Sequence, residues 1–283
     1  YYASRGLGDV YKRQPNAQLW SLDSPALHTA RVRAMRGGEV VDEKSLRFGF
    51  RTVRFENDGF YLNGQRIKLR GLNRHQSYAY VGYAMPKSVQ ELDAEILKNE
   101  LGVNAVRTSH YPNQSRWYEL CDEYGIYLID ETNLETHGSW NSPGDIPVGT
   151  SVPGDDEAWL GACIDRLDSM ILRDRNHPSV LVWSLGNESG CGPAHAAAAG
   201  WATDYDPTRL IHYEGAQGQP MHPLYVPLKR TSAAAFTSVM AADNQPAAGQ
   251  VKKPRNGGNP TDPAYVDVLS RMYPCLLYTS PSP

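Results

Sequence analysis

The sequence predicts an α/β fold, and within that class a (β/α)8 barrel preceded by a short antiparallel β module. Short apolar stretches typical of strands alternate with stretches of helical periodicity, the pattern of parallel strands joined by crossover helices. Polar and ionisable residues stand at the carboxyl end of every predicted strand, and in a barrel these ends meet at one face. No G-x-G-x-x-G follows the first of these strands, which disfavours an open dinucleotide-binding sheet.

The N-terminal region predicts antiparallel strands. Residues 15–53 contain short alternating stretches joined by a turn at Gly37-Gly38. Asn63-Gly64 then marks a β-hairpin, because a two-residue type I′ turn needs positive φ at both central positions.

The alternating region begins at residue 54 and predicts six strands with helices between them. In its first helix, Ser88 and Glu91 suggest a capping box, and Val89, Leu92 and Ile96 suggest the buried face. A polar segment rich in Pro, Gly and Ala predicts a long loop or insertion over 217–262. The predicted strands cover 67–75, 104–110, 126–131, 179–189, 210–215 and 266–274, and the later helices end at Gly125, near 173 and near 204.

Composition excludes several other classes of protein. The 283 residues include 28 Lys and Arg against 31 Asp and Glu, so charge gives no reason to expect nucleic acid or a membrane surface as a partner. No apolar run reaches the roughly 20 residues of a membrane span, and 17 Tyr with 6 Trp are too many aromatics for a disordered chain. The 4 Cys form no C-x-x-C pair and suggest reduced thiols, which agrees with a cytoplasmic protein.

Both ends of the chain suggest adapter sequence rather than native protein. The chain starts without Met or a signal peptide, and neither 1–14 nor 275–283 continues the periodicity of its neighbours. We therefore expect a fragment of a longer protein.

The strongest candidate for acid–base chemistry is Glu188. It follows a strand of Val, Leu and Trp, so it lies at the rim of an apolar core, where burial raises a carboxyl pKa toward the range of a general acid. Its neighbour Asn187 can hold a substrate hydroxyl. The alternative is a Glu that only caps a loop.

Glu135 and His137 form a second candidate site. Two residues apart in extended backbone, they point to the same side, and with Glu188 they supply oxygen and nitrogen ligands that fit Mg²⁺ or Mn²⁺ and leave zinc open. A surface Glu and a hydrogen-bonded His are the alternative.

Three further polar residues stand at neighbouring strand ends. His75 and His110 can donate hydrogen bonds to a polar ligand, or can be satisfied core histidines. Arg107 can orient an anionic side chain, or form a structural ion pair with Asp130 or Glu131.

Taken together, the motifs resemble glycoside hydrolase family 2, and more narrowly its bacterial β-galactosidases. The resemblance covers about residues 15–215 plus 270–274, and NLETHG favours β-galactosidase over β-glucuronidase. It implies an incomplete TIM barrel over 54–274 preceded by the end of an immunoglobulin-like β-sandwich over 15–53. The motifs that carry it are RGLNRHQ, NAVRTSHYPN, LCDEYGIYLIDETNLETHG, RDRNHPSVLVWSLGNESG and IHYEG.

For the site, the resemblance implies a retaining hydrolase of terminal β-D-galactose with Glu188 as acid/base. It implies galactosyl contacts from His75 and His110, and a place beside the nucleophile for Tyr213. Arg107 and Asn187 support the carboxylates, while Glu135, His137 and Glu188 bind Mg²⁺; Na⁺ is allowed for in the complete protein. The full-length parent is expected to be a homo-oligomer that binds neither nucleic acid nor membrane.

The nucleophile motif of this family, a Glu after strand seven, is absent from the sequence. We therefore expect the fragment to be inactive, although its parent is an enzyme. Two other functions stay open: another family 2 hydrolase acting on β-glucuronides or β-mannosides, and a non-catalytic carbohydrate-binding protein.

Overall fold

The computed structural model describes residues 16–56, 58–136, 152–154, 156–190 and 192–214. Four predicted segments lie outside these residues: 1–14, the 217–262 insertion, the sixth strand and 275–283. Within the described part of the chain, no helix combines the length and the apolar character of a membrane span.

Ten strands and four α-helices form the described structure, with a π-helical turn after α1 and a 3-10 turn before α3. The strands are β1 His28–Arg36, β2 Glu39–Phe48, β3 Val53–Glu56, β4 Gly59–Leu62, β5 Gln65–Ile67, β6 Gly71–Arg74, β7 Ala105–Thr108, β8 Tyr127–Glu131, β9 Val180–Ser184 and β10 Leu210–His212. The helices are α1 Lys87–Glu95, α2 Ser115–Tyr124, α3 Leu160–Asp174 and α4 Pro193–Tyr205.

The N-terminal strands are antiparallel, as predicted. β1 and β2 pair across the turn at Gly37 and Gly38, and β3, β4 and β5 form a separate three-stranded sheet. At the β4–β5 turn, Asn63 and Gly64 have φ of 49° and 81°, the signs that a type I′ turn requires. The β1–β2 hairpin lies in the region predicted to be the end of an immunoglobulin-like module, and that module stays a prediction.

The barrel strands form one parallel sheet in the order β6-β7-β8-β9-β10. Each strand lies beside its neighbour in sequence, and one α-helix connects each pair. A barrel is wound in this way, whereas a doubly wound sheet reverses its order at a switch point. The structure therefore confirms the predicted incomplete (β/α)8 fold over the five strands that it describes.

The strands separate two apolar clusters because successive side chains face opposite sides. The outer cluster packs against the helices and includes Val180 and Trp183, while the inner cluster includes Leu181 and Val182. The register between β8 and β9 shifts between Leu128 and Ile129, so β9 has one extra residue at this point. Trp183 consequently faces the helices, and Ser184 faces the interior of the barrel.

The inner cluster is closed at the amino ends of the strands by the N-terminal segment. Trp20 and Phe60 meet the ring of Tyr127 edge-on, with centroid distances of 5.4 and 5.7 Å. The indole N–H of Trp20 donates to the carbonyl of Asp122 at 2.9 Å. This packing leaves the carboxyl ends of the strands open for a site.

Helix α1 departs from its prediction. Its N-cap is Pro86 and no side chain caps it, so the Ser88–Glu91 capping box does not form. The predicted apolar face is also wrong, because Leu92 is 53% exposed while Gln90 is buried. The buried Gln90 contacts a residue that is distant in the sequence, because its Nε2 donates to Gln114 Oε1 at 2.6 Å.

Helix α2 ends at Gly125 as predicted, in a left-handed conformation with φ 66°. A Cβ on Gly125 would lie 2.3 Å from the carbonyl oxygen of Leu22, whereas Gly102, at φ 63°, has no neighbour within 4 Å. We expect Gly125→Ala to lower the free energy of unfolding by about 2–5 kcal/mol, and Gly102→Ala by only the roughly 1–2 kcal/mol of left-handed strain. Urea unfolding of the chain measures both, and equal losses would contradict a close approach at Leu22.

Candidate active site

Four buried polar side chains form a row across the carboxyl ends of the strands. The strand register places Glu131 beside Ser184 and Ser184 beside His212, and Arg107 comes from the neighbouring strand β7. Each of β7 to β10 contributes one of these residues at an inward-facing position. Because these four positions all face the interior, their side chains form one continuous polar layer.

Arg107 connects its own strand β7 to β8 and to the segment that follows β9. Its Nε donates to Glu131 Oε2 at 2.6 Å, and its Nη2 donates to Asn187 Oδ1 at 2.9 Å. The Glu131 side chain is 0% exposed, so the guanidinium supplies its counter-charge inside the barrel. The sequence left open an ion pair or an orienting role, and the structure combines an ion pair to Glu131 with a bond that orients Asn187.

The hydroxyl of Ser184 lies between Glu131 and His212. It is 2.6 Å from Glu131 Oε2 and 2.8 Å from His212 Nδ1. A hydroxyl has one proton, and a carboxylate paired with Arg107 can only accept, so the proton of Ser184 goes to Glu131 and His212 donates from Nδ1. Burial and then the charge of Arg107 lower the pKa of His212 to about 3, which keeps the ring neutral.

Asn187 links this layer to Glu135. The two residues form a parallel β-bridge, and Asn187 Nδ2 donates to Glu135 Oε1 at 3.1 Å. The Asn187 backbone N–H donates to the carbonyl of Leu134 at 2.8 Å. Two residues singled out from separate sequence motifs are therefore in direct contact.

Glu188 is held on an unusual backbone. Its φ is 41°, between Gly186 at 136° and Gly190 at 91°. A Cβ on Gly186 would lie 2.5 Å from the carbonyl oxygen of Leu134, so only glycine lets the segment after β9 approach Leu134 this closely. The backbone N–H of Glu188 donates to Glu214 Oε1 at 2.7 Å, and burial raises the pKa of Glu214.

His75 and His110 open onto one cleft, with their rings perpendicular and 5.4 Å apart. His110 Nδ1 lies 2.6 Å from Glu131 Oε1, so the buried layer also orients this ring. His75 is exposed, which excludes the core-histidine alternative for it. The cleft has a volume of about 640 Å³ and is lined by Gln76, Tyr83, Tyr111, Pro112, Asn113, Gln114, Asn133, Glu135 and Arg173 in addition to the two histidines.

Tyr213, predicted to lie beside the nucleophile, is 0% exposed. Its hydroxyl donates to the carbonyl of Gly190, beneath the loop that carries Glu188. Its position relative to a nucleophile stays a prediction.

The expectation that polar residues at the strand ends meet at the mouth of the barrel is wrong for Asp130 of β8 and Arg74 of β6, which face the helices. Asp130 accepts the hydroxyl proton of Tyr118 at 2.6 Å. Arg74 pairs with Asp93 of α1 at 2.9 Å and lies over the ring of Trp117 at 3.7 Å. Neighbours on a strand alternate in direction, so the carboxyl end of a strand delivers only every second polar residue to the site.

Sequence reasoning missed Ser184 and His212. The available signal was strand parity: both are the last inward-facing residues of buried strands, as Glu131 is in β8. For Ser184 that parity could not be counted without knowing the extra residue in β9.

A divalent cation is compatible with part of the predicted ligand set. Glu135 is exposed and Glu188 half-buried, on chain segments joined by the Glu135–Asn187 bridge. Carboxylates are the ligands that Mg²⁺ prefers. His137 lies outside the described residues, and within those residues no three His, Cys, Asp or Glu side chains form a metal-binding group.

Family models match both parts of the chain. The model described as "Glycosyl hydrolases family 2, TIM barrel domain" covers residues 53–255, and the model described as "Glycosyl hydrolases family 2" covers residues 6–51. The chain belongs to glycosyl hydrolase family 2. This finding confirms the resemblance that the sequence motifs suggested.

Family 2 relatives of the chain carry β-galactosidase names. It is 46% identical over 205 residues to "Beta-galactosidase BgaC" of Bifidobacterium adolescentis, covering 72% of this chain and 19% of the relative. It is 45% identical over 207 residues to a "Beta-galactosidase" of Clostridium acetobutylicum, covering 73% of this chain and 23% of the relative. The chain thus spans about a fifth of the length of these family members.

Solved family 2 structures share the fold. A β-glycosidase from Bacteroides vulgatus matches with a TM-score of 0.59 and 33% identity, over 71% of this chain and 25% of that one. Bacteroides uniformis β-glucuronidase 3 matches with a TM-score of 0.57 and 32% identity, over 70% of this chain and 25% of that one.

Proposed function

We propose that this barrel segment belongs to a retaining β-galactosidase, which removes terminal non-reducing β-D-galactose from β-galactosides. The supporting observation is the bonded layer from Arg107 through Asn187, which orients the residue preceding Glu188 at the open end of the barrel. The β-galactosidase names of relatives at 43–46% identity support the choice of sugar.

In this mechanism Glu188 donates its proton to the glycosidic oxygen as the bond to the leaving group breaks. A second carboxylate, about 5–5.5 Å away in retaining enzymes, attacks the anomeric carbon and forms a glycosyl–enzyme. Glu188, now a carboxylate, removes a proton from the water that releases galactose. The second carboxylate is not assigned to a described residue.

The buried layer contributes rigidity rather than chemistry. Arg107 and Glu131 neutralise each other, and Asn187 is fixed by bonds at both ends of its amide. Fixed dipoles and donors stabilise a transition state without the cost of reorganising. His75 and His110 would contact galactosyl hydroxyls at the edge of this layer.

Mg²⁺ belongs to the same proposal, with Glu135, His137 and Glu188 as its ligands. When bound there, it would supply positive charge beside the acid/base carboxyl. Asn187, which donates to Glu135, would keep one oxygen of that carboxylate in a fixed direction.

A β-glucuronidase is the second candidate, because a solved structural neighbour carries that name. A glucuronide carries a carboxylate and needs a cationic partner in its pocket. The guanidinium that lines the described cleft belongs to Arg173, whose Nη2 is 2.7 Å from Asp174 Oδ2. A guanidinium already engaged in this way favours a neutral sugar.

A segment exchange tests the proposal. The 205 residues of this chain that match the Bifidobacterium enzyme replace their counterpart in that enzyme, and kcat/KM is measured on p-nitrophenyl β-galactoside and β-glucuronide. We expect galactoside turnover within about tenfold of the parent and no glucuronide turnover, because the hydrogen-bonding groups of the site are retained. A folded exchange enzyme that loses galactoside turnover, or prefers glucuronide, would overturn the proposal.

A further inference from the structure

Beneath the Glu188 loop lies a buried cluster that the proposed mechanism does not use. Ser189, His195 and Tyr213 are each 0% exposed. Ser189 Oγ is 3.0 Å from His195 Nε2 and 3.2 Å from the Tyr213 hydroxyl. The Tyr213 hydroxyl donates to the carbonyl of Gly190.

The number of available protons fixes which group donates in each hydrogen bond of this cluster. Because the Tyr213 proton goes to Gly190, the contact between Tyr213 and Ser189 is a bond only if Ser189 donates. Ser189 Oγ then accepts from His195, so the imidazole carries its proton on Nε2. This assignment uses the contacts given above and leaves His195 Nδ1 as a bare lone pair, in agreement with its lack of a partner among the described residues.

The His195 ring is stacked on one face and is closely approached by the backbone of Gly154. The ring stacks on Tyr213 at a centroid distance of 4.0 Å and an angle of 21°. On another side, a Cβ on Gly154 would lie 2.2 Å from His195 Cε1, and the N–H of Gly154 donates to the carbonyl of Ser189 at 3.0 Å. Burial lowers the pKa of His195 to about 3, so the ring remains a neutral donor.

The cluster acts on the residue next to Glu188. Successive backbone N–H groups of Glu188 and Ser189 donate to Glu214 and Tyr213, at 2.7 and 3.2 Å. A left-handed non-glycine residue such as Glu188 persists only where its surroundings over-determine the backbone. His195 supplies the donor that completes this hold on Ser189.

We propose that His195 is a positioning residue, which directs the Glu188 carboxyl toward the leaving-group oxygen through Ser189 and Tyr213. This inference rests on the proposed function, in which Glu188 is the acid. A carboxyl that is mispositioned fails most where proton donation matters most, namely with poor leaving groups. Galactosides with a very acidic leaving group need no proton, so their cleavage does not depend on this geometry.

The test uses His195→Phe in the segment-exchanged enzyme, with methyl and 2,4-dinitrophenyl β-galactosides as substrates. Phenylalanine keeps the stacked ring and removes the donor. We expect kcat/KM on the methyl galactoside, which reports the first step, to fall at least about tenfold more than kcat/KM on the dinitrophenyl galactoside, as part of the roughly 10²–10⁴-fold effect of a general acid. His195→Gln, which can place an N–H near the Nε2 position, should recover most of the loss.

Two controls separate the outcomes. His177→Phe makes the same substitution before β9, where His177 Nδ1 is 2.6 Å from Asp122. It should change kcat/KM on the methyl and dinitrophenyl galactosides by the same factor. If His195→Phe also lowers kcat/KM on the two galactosides by the same factor, the inference is overturned. If His195→Phe fails to fold, Ser189→Ala breaks the same chain of bonds at its centre and must show the leaving-group dependence. If Glu188→Gln lacks that dependence, the proposed function fails instead.

Discussion

Replacing Arg107 with alanine should destabilise the chain by about 3–5 kcal/mol. The change leaves Glu131 as a buried carboxylate without its counter-charge, and removing one partner of a buried pair costs this much. It also removes a donor from Asn187. Urea unfolding followed by tryptophan fluorescence measures the loss.

Arg33→Ala is the matched control. Arg33 and Glu43 form an ion pair of 2.5 Å, but their side chains are 48% and 36% exposed, and exposed pairs contribute roughly 0–1 kcal/mol. Combining Arg107→Ala with Glu131→Gln should recover part of the first loss, because neither partner of this ion pair is then left as a buried charge. Equal losses at Arg33 and Arg107 would contradict a charged interior layer.

Replacing Glu188 with glutamine in the segment-exchanged enzyme should lower kcat on alkyl galactosides by about 10²–10⁴-fold. Glutamine keeps the shape of the side chain but cannot donate an acidic proton or accept one from water. With 2,4-dinitrophenyl galactoside the first step should persist, and azide should restore turnover, because this anion attacks the glycosyl–enzyme without a base. The product to measure is β-galactosyl azide.

Glu91→Gln on α1 is the control, since the Glu91 side chain is 50% exposed and pairs with Arg116 at the surface. It should leave kcat on the alkyl and the dinitrophenyl galactosides unchanged. Undiminished hydrolysis of alkyl galactosides by Glu188→Gln would remove Glu188 from the mechanism. If the segment-exchanged enzyme binds the sugar without turnover both with and without Glu188→Gln, a carbohydrate-binding protein would be favoured.

Features set by local backbone chemistry could be predicted from the sequence. The Asn63-Gly64 turn and the end of α2 at Gly125 depend on residues that tolerate positive φ, and both were confirmed. The capping box at Ser88 is equally local, yet it was wrong. There the N-cap is Pro86, two residues before Ser88, so Ser88 lies inside the first turn of the helix. The buried face depends on a partner distant in sequence, since Gln90 bonds to Gln114.

The site was predictable in outline only. Arg107 and Asn187 were singled out individually, and the structure joins them by a hydrogen bond. Asp130 and Glu131 are neighbours with similar chemistry, and composition cannot tell which one faces the interior. The alternation of side chains along the strand decides which one does. The inward-facing positions of β9 and β10 likewise add Ser184 and His212 to the site.

The extra residue in β9 has a consequence for sequence variation in this part of the chain. Val180 and Trp183 lie on the helix side, and Leu181 and Val182 on the barrel side, so the strand reverses its facing halfway along. If a related sequence were aligned to β9 by hydrophobic alternation alone, its residues after the extra position would be assigned to the wrong face of the sheet. Indole would then take the place of the Ser184 hydroxyl against Glu131, so a single insertion or deletion in this strand should be far less tolerated than most substitutions.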